Sequence, residues 1–281
     1  MKTQQTGAVS SAGMLAAARR DAISRLVAEQ GALSVGALAK RFGVSEMTVR
    51  RDLNQLQRSG TIKRAHGGAI RAPVVVPTPA MTEPTFNARR QWNRDAKARI
   101  ATAAAGFVGD QDVIGLDVGS TATELADLLL SRTDISVITH NLQAVAALAR
   151  SETGPKMYVI GGHYRRSEGS LCSPEASNEL NRFSLNTAFI GVAGMTPEGL
   201  FDYSPEEADI KNLYTDRAHR TCILCDASKF GRRSLVRFSG LDTVDILITD
   251  QSPQGELAVA LADNKVQVIV AGAPASLQQS S

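Results

Sequence analysis

SVGALAKRFGVSEMTVRRDLNQLQRSGTIKRAHGGAI, residues 34–70, has the pattern of two short helices, a tight turn and a pair of strands. Ser34 is placed to cap a helix over residues 35–42, with Leu38, Ala39 and Phe42 on one face. Gly43 permits a sharp turn. Ser45 is placed to cap a second helix over residues 46–59, and Gly60 to stop it. Short helices joined by a three- or four-residue turn containing glycine form a helix-turn-helix. At about 100° per residue, Val49, Leu53 and Leu56 fall on one side of the second helix. Met47, Arg51, Asn54 and Arg58 fall on the other, with Thr48 and Gln55 flanking them and Arg50 at the border. An apolar back and a polar, cationic front suit a helix that enters the major groove of double-stranded DNA. Arg51 is the candidate for bidentate contact with guanine, and Arg50 for phosphate. Ser34 and Ser45, at helix starts whose N–H groups attract anions, join the DNA-binding candidates. Beyond Gly60, residues 61–63 read as a strand, Gly67-Gly68 as a turn and Ala69-Ile70 as a returning strand. This predicts a wing whose Lys63, Arg64 and His66 reach the DNA backbone or minor groove. Residues 19–30 precede it as a helix, with Ile23, Leu26 and Val27 at helical spacing.

The distribution of charge agrees with a polyanionic partner. The 281-residue chain has 31 Lys+Arg, 28 Asp+Glu and a net charge of +3. Residues 1–71 alone carry 12 basic and 4 acidic side chains, and the remainder is net acidic. A basic module thus precedes a larger acidic one. The longest run without a polar residue, Ala188 to Met195, falls far short of the roughly 18 residues of a membrane span. The first residues lack the apolar core of a secretory signal. Three cysteines are too few for a disulfide scaffold and fit a reducing cytoplasm.

Four of the ten prolines (Pro73, Pro77, Pro79 and Pro84) fall within twelve residues. The predicted organisation is therefore a disordered tail (1–15), a winged helix-turn-helix (16–71), a Pro-rich linker (72–86), an α/β domain (87–272) and a second tail (273–281). Met14 is an alternative start to Met1.

The 34–70 stretch closely resembles the DNA-binding head of the DeoR-type bacterial transcription regulators. The resemblance rests on Val44-Ser45, Thr48-Val49-Arg50-Arg51-Asp52-Leu53 and Arg64-Ala65-His66-Gly67-Gly68.

In the larger domain, residues 87–108 read as one amphipathic helix. Seven apolar runs follow as strand candidates: 112–117, 135–139, 156–161, 186–192, 221–226, 244–249 and 266–270. Helical stretches such as TATELADLLLS (121–131) and NLQAVAALARS (141–151) lie between them. The fold class predicted is α/β: a winged helix-turn-helix followed by a mostly parallel, Rossmann-type sheet covered on both faces. Ligands of such sheets bind at the carboxyl ends of strands. Asp117-Val118-Gly119-Ser120-Thr121 leads from the first strand into a helix, and Thr121-Ala122-Thr123-Glu124 fits a capping box. Thr139-His140-Asn141, Gly161-Gly162 and Asp226-Ala227-Ser228-Lys229 end later strands. These loops are suited to converge on one phosphorylated ligand, with Lys229 as its counter-charge.

This half resembles the DeoR effector domain, which is similar to phosphosugar isomerases such as ribose-5-phosphate isomerase, through DVGST, VITHN, IGGHYR, NTAFIGVAGM, EEADIKN, CDASKFG and VDILITD. The resemblance spans residues 17–250. It implies an effector pocket lined by Asp117, Gly119, Ser120, Thr121, Thr139, Asn141, Gly161, Gly162, Glu207, Lys211 and Lys229. The chain departs from the family pattern at Ala122, where a second Thr is usual, near His140, where Ser is usual, and at Ser173, where Gly is commoner.

Cys222 and Cys225 form a C-x-x-C, but residues three apart on a strand point to opposite faces, so both read as buried structural thiols. His66, His140, His163 and His219 show no ligand spacing, and no P-loop or G-x-G-x-x-G is present. No metal or cofactor is expected. The predicted function is a DNA-binding regulator, a repressor of a carbohydrate or polyol operon relieved by a phosphorylated sugar or polyol, working as a homo-oligomer (dimer or tetramer) without a membrane partner. The alternatives are a phosphosugar isomerase with a DNA-binding head, using Glu206, Glu207, Asp209 and Lys211 as acid and base, and a constitutive DNA-packaging protein.

Overall fold

The computed structural model describes residues 19–20, 22–23, 26–27, 32–58, 62–65, 68–71 and 84–272. The two predicted tails and most of the predicted linker lie outside them. The chain divides into two compact units, residues 1–75 and 76–281.

In the first unit the described residues between 19 and 27 are helical. Strand β1 (Ala32–Ser34) and helices α1 (Val35–Phe42) and α2 (Glu46–Arg58) follow. Gly43 ends α1 at φ 62°, in the left-handed region that favours glycine. Strands β2 (Ile62–Ala65) and β3 (Gly68–Arg71) pair antiparallel as the predicted wing. The sequence reading missed that β1 completes the sheet, in the order β1-β3-β2. Ile23, Leu26, Val27, Val35, Leu38, Phe42, Val49, Leu53 and Leu56 form one apolar core. The wheel therefore assigned the buried side of α2 correctly.

The second unit begins with a broken helix. Residues 87–108 do not form one helix. Helix α3 (Phe86–Gln91) ends at Trp92, and helix α4 (Arg94–Ala105) starts after Asn93, whose backbone is left-handed at φ 51°. The break is held by tertiary contacts. The Lys97 ammonium donates to the carbonyls of Arg89 and Trp92. The Asn93 amide donates to Asp226 (2.9 Å) and Ser228 (3.2 Å).

All seven strand candidates enter one sheet: β4 (Val113–Leu116), β5 (Ser136–Thr139), β6 (Lys156–Val159), β9 (Leu185–Gly191), β12 (Ala218–Leu224), β14 (Ile246–Thr249) and β15 (Gln267–Val270). The order is β15-β14-β12-β9-β4-β5-β6, and every pairing is parallel. Strands buried on both faces read as continuous apolar runs, which is why the inner strands are visible in the sequence; the edge strand β6 is mostly exposed and β15 partly so. On one face Ile114, Leu116, Cys222, Leu224 and Ile248 pack under α4, α5 (Ser120–Leu128) and α6 (Leu142–Leu148). On the other, Ile190, Ile223, Cys225 and Leu247 pack under α7 (Pro174–Leu180), α8 (Pro205–Arg217) and α9 (Gly255–Asp263). Cys222 and Cys225 thus lie in different cores, and both are free thiols.

Five further strands were not foreseen. Strands β7 (His163–Arg165) and β8 (Ser170–Cys172) form a hairpin. Strands β10 (Gly194–Thr196), β11 (Gly199–Asp202) and β13 (Val236–Ser239) form a small antiparallel sheet. From β4 the chain builds outward through β5 and β6, then returns to lay β9, β12, β14 and β15 on the other side of β4. The strand order reverses between β4 and β9, where an open α/β sheet leaves a crevice at the carboxyl ends of its strands.

Candidate DNA face and sensor cleft

On the head, Ser34 Oγ accepts the Ala37 N–H at 3.1 Å, and Ser45 Oγ accepts the Thr48 N–H at 3.2 Å. Each serine therefore caps its helix, as its position suggested. Met47 is 63% exposed. Arg50, Arg51 and Asn54 are exposed as well, and Thr48 is half-buried. Arg50 lies 3.6 Å from Glu46, one turn earlier. An exposed pair of this kind contributes little, so it leaves the guanidinium available for exchange with a phosphate. The side chains of Arg58, Lys63 and Arg64, and all of His66, lie outside the described residues.

Asp52 belongs to α2. It is buried, with Arg19 Nε at 2.7 Å and Arg20 at 3.7 Å. An ion pair thereby ties the back of α2 to the preceding helical segment. Arg19 and Arg20, 33 and 32 residues away in sequence, carry no local sign of this partner.

In the second unit a cleft opens at the switch point. It is lined by Gly119, Ser120 and Thr121 after β4, by Gly191, Val192 and Ala193 after β9, and by Asp226, Ser228 and Lys229 after β12. Glu207 and Lys211 of α8, Asp202 and Tyr203, Glu168, and Arg89, Trp92, Asn93 and Lys97 around the helix break complete it. Gly119 takes φ 126° as the N-cap of α5 and supplies no capping side chain. The predicted capping box is therefore corrected: Thr121 lies inside the helix, and Thr123 donates its hydroxyl to the Gly119 carbonyl at 3.0 Å. The first N–H groups of α5 are left without a side-chain acceptor at the cleft wall.

The other candidates are placed differently. Asp117 is fully buried beneath the cleft, where it receives the Gly191 N–H (3.0 Å) and the Lys211 ammonium. Thr139 and Asn141 are also fully buried. The Thr139 hydroxyl donates to the Leu116 carbonyl at 2.6 Å. The Asn141 side chain donates to the Asp117 carbonyl at 3.1 Å and accepts the N–H groups that open α6. Both hold the strand ends in place and do not line the cleft. Gly161 and Gly162 line a separate hollow with His163, Ser173, Glu175 and Glu179. The sequence reading missed Arg89, Trp92, Asn93, Lys97, Asp202 and Tyr203. The first four were hidden by the reading of residues 87–108 as one uninterrupted helix.

The cations of the cleft are in different electrostatic states. Lys211 is 1% exposed, bound to Asp117, 3.5 Å from Asp202 and donating to the Gly191 carbonyl at 3.0 Å. Burial opposes its charge, but the Asp117, Asp202 and Glu207 carboxylates outweigh it and hold the ammonium above the ordinary lysine value. Arg89 pairs with the buried Glu168. Burial lowers Lys229, with Asp226 partly offsetting it. Burial brings Lys97 down from 10.5 to about 8, with Asp226 again opposing. Because the folded-state value of Lys97 lies below the ordinary one, the unfolded chain binds more protons between about 8 and 10.5, and the contribution of this group to stability rises across that window. The melting temperature of the native chain, relative to that of Lys97→Met, is therefore expected to climb from pH 8 to pH 10. A pH-independent difference would contradict this.

Beneath the cleft His140 joins Glu207 (3.0 Å) and the Tyr214 hydroxyl (3.3 Å). Burial favours the neutral form of Glu207, but the hydrogen bond and charge of His140, and then the charge of Lys211, hold it below the usual carboxylate range. Among the described residues, His140, Cys172 and Glu207 form the one trio whose donor atoms lie within 4.8 Å of one another. Both oxygens of Glu207 are already engaged, by His140, by Arg165 at 2.8 Å and by Ser170, and burial pushes the Cys172 thiol up. The trio is thus a poor metal ligand set.

A capped helix-turn-helix with a cationic outer face, followed in the chain by a domain whose switch-point cleft offers lysines and backbone N–H groups, defines a ligand-sensing DNA-binding regulator. Residues 19–73 match the DeoR-like helix-turn-helix domain, and residues 92–251 match the DeoR C terminal sensor domain. The chain belongs to the DeoR family of transcription regulators. It is similar to the transcriptional repressor AccR of Agrobacterium fabrum, 32% identical over 83% of this chain and 88% of that one. It is also similar to the glycerol-3-phosphate regulon repressor of Escherichia coli strain K12, 28% identical over 89% of this chain and 97% of that one. These relatives, matched over most of both lengths, are regulators, and the chain is a regulator rather than an isomerase. Among solved structures it is similar to a D-ribose-5-phosphate isomerase in complex with phospho-erythronic acid, at 19% identity over 49% of this chain and 54% of that one, with a TM-score of 0.37. No helix among the described residues is long and apolar enough to cross a membrane.

Proposed function

We propose that the chain is a cytoplasmic repressor of carbohydrate or polyol catabolic genes. A phosphorylated sugar or polyol fills the cleft of the second unit and lowers the affinity of the head for operator DNA, in a homo-oligomer (dimer or tetramer) that matches a two-fold operator. One observation carries the effector reading. Among the described residues Lys229 lines the cleft with no ion-pair partner within 4 Å, in a pocket that also contains the uncapped N-terminus of α5. Burial lowers this ammonium, with Asp226 opposing, and an incoming dianion would offset that desolvation with charge-assisted hydrogen bonds. The names of the relatives are consistent with this reading: one controls a glycerol-3-phosphate regulon. On the head, the reading assigns Arg51 and Asn54 to base edges, and Ser45, Arg50, Lys63 and Arg64 to phosphates.

An effector acts only through its preference for one of two states of the protein. The test is release of the full-length protein from DNA of its own upstream region by a panel of sugar and polyol phosphates. At least one member is expected to weaken binding tenfold or more. Lys229→Met is expected to bind the same DNA as tightly as the native chain and to need at least tenfold more effector for release. If no phosphorylated compound shifts binding, or Lys229→Met responds as the native chain does, the reading is overturned.

A further inference from the structure

Eight large apolar side chains are exposed among the described residues, and of these Trp92, 50% exposed, alone lines the cleft. Its backbone is fixed from both sides. Its N–H donates to the Arg89 carbonyl at 3.2 Å, and its own carbonyl receives the buried Lys97 ammonium. The next residue, Asn93, adopts the left-handed conformation and ties the break to Asp226 and Ser228 of the cleft wall. Hydrogen bonds at Arg89 and Lys97 and the left-handed Asn93 thus fix the backbone on both sides of an indole that lines the cavity. The remaining wall mixes apolar side chains, such as Val118, Val192 and Leu224, with acceptor oxygens on Asp202, Asp226 and Ser228. Small-ligand sites pair an aromatic surface with a few placed polar groups in this way.

We propose that Trp92 is the platform for a sugar ring, and that the effector is a phosphorylated sugar in its cyclic form rather than an open-chain polyol phosphate. This rests on the effector reading above and narrows its ligand class. The face of a pyranose presents several C–H groups together, and stacking it on an indole removes apolar area from water while the hydroxyls point outward to acceptors. An open-chain polyol alternates its hydroxyls and offers no such face.

Trp92 is the only tryptophan of the chain, so its emission reports the site directly. The full-length protein is titrated with glucose 6-phosphate and glucosamine 6-phosphate (ring probes), with sorbitol 6-phosphate and glycerol 3-phosphate (open-chain probes), and with inorganic phosphate. Ring probes are expected to bind at least tenfold more tightly than open-chain probes and to change the emission. Calorimetric titration of Trp92→Ala should show at least a tenfold loss toward ring probes with the affinity for inorganic phosphate unchanged, while Trp92→Phe stays within about threefold of the native chain. Equal binding of ring and open-chain probes, a preference for the open chain, or an unaffected Trp92→Ala overturns the platform and leaves the phosphate site standing. Failure of every phosphorylated probe and of inorganic phosphate overturns the effector reading, and the platform with it.

Discussion

Replacing Lys211 by alanine is expected to destabilise the sensor domain by about 3–5 kcal/mol at pH 7, the cost of leaving buried charge without its partner. Lys211 is the ammonium that Asp117, Asp202 and Glu207 share, and all four side chains are almost wholly buried. Its removal leaves the carboxylates facing one another beneath the cleft. Burial already raises Asp202, so in the variant the native state takes up protons at a higher pH than the unfolded chain does. The sign follows: a carboxyl raised on folding contributes stability at low pH and loses it as pH rises. The variant should therefore recover part of its stability between pH 7 and pH 5. Urea unfolding at the two pH values checks both parts. A loss under 1 kcal/mol, or a further loss on acidification, would show that the cluster is not held together by this lysine.

Asp52→Ala is expected to unfold the head at physiological temperature. Arg19 and Arg20 converge on this buried carboxylate from the preceding segment. Removing one partner of such a pair costs about 3–5 kcal/mol, most of the net stability of a small unit with one compact core. Calorimetry of the full chain should lose its head transition while the sensor transition stays, and DNA affinity should disappear. Asp52→Asn, which keeps the shape and some hydrogen bonding, should fall between. A native-like head transition in Asp52→Ala would contradict the assignment.

The seven-stranded sheet is legible in the sequence because each strand is a short apolar run, buried on both faces in the inner strands and partly exposed in the edge strands β6 and β15, and the reversal of strand order then locates the crevice. What escapes is set by partners distant in sequence. Asn93 breaks a helix whose amphipathic pattern continues through residues 87–108, and it does so where Asp226 and Ser228 hold its amide. Strands β10 and β11 are three and four residues long, too brief to show alternation. The Thr121-Ala122-Thr123-Glu124 pattern satisfies the local rule for a cap, yet Gly119 at φ 126° starts the helix before it. At the site, strand-end logic locates Gly119 to Thr121 and Lys229. It misplaces Thr139 and Asn141 because their side chains turn toward the backbone of the adjacent β4 segment, a direction set by strand pairing and not by residue type. On the head the helical wheel suffices, since one buried face and one exposed face follow from periodicity alone.

On the proposed function, the outer face of α2 reads duplex DNA. The most direct test is fluorescence anisotropy of the native chain, Arg50→Ala and Arg51→Ala on their own upstream DNA and on a scrambled duplex, each over a series of salt concentrations. The native chain should prefer its own DNA and lose affinity linearly on a logarithmic salt scale. Arg50→Ala should weaken both duplexes alike and lower the salt slope by about one, whereas Arg51→Ala should lose about 1–3 kcal/mol on the upstream DNA alone. Binding without salt dependence, or unchanged in both variants, would contradict the claim.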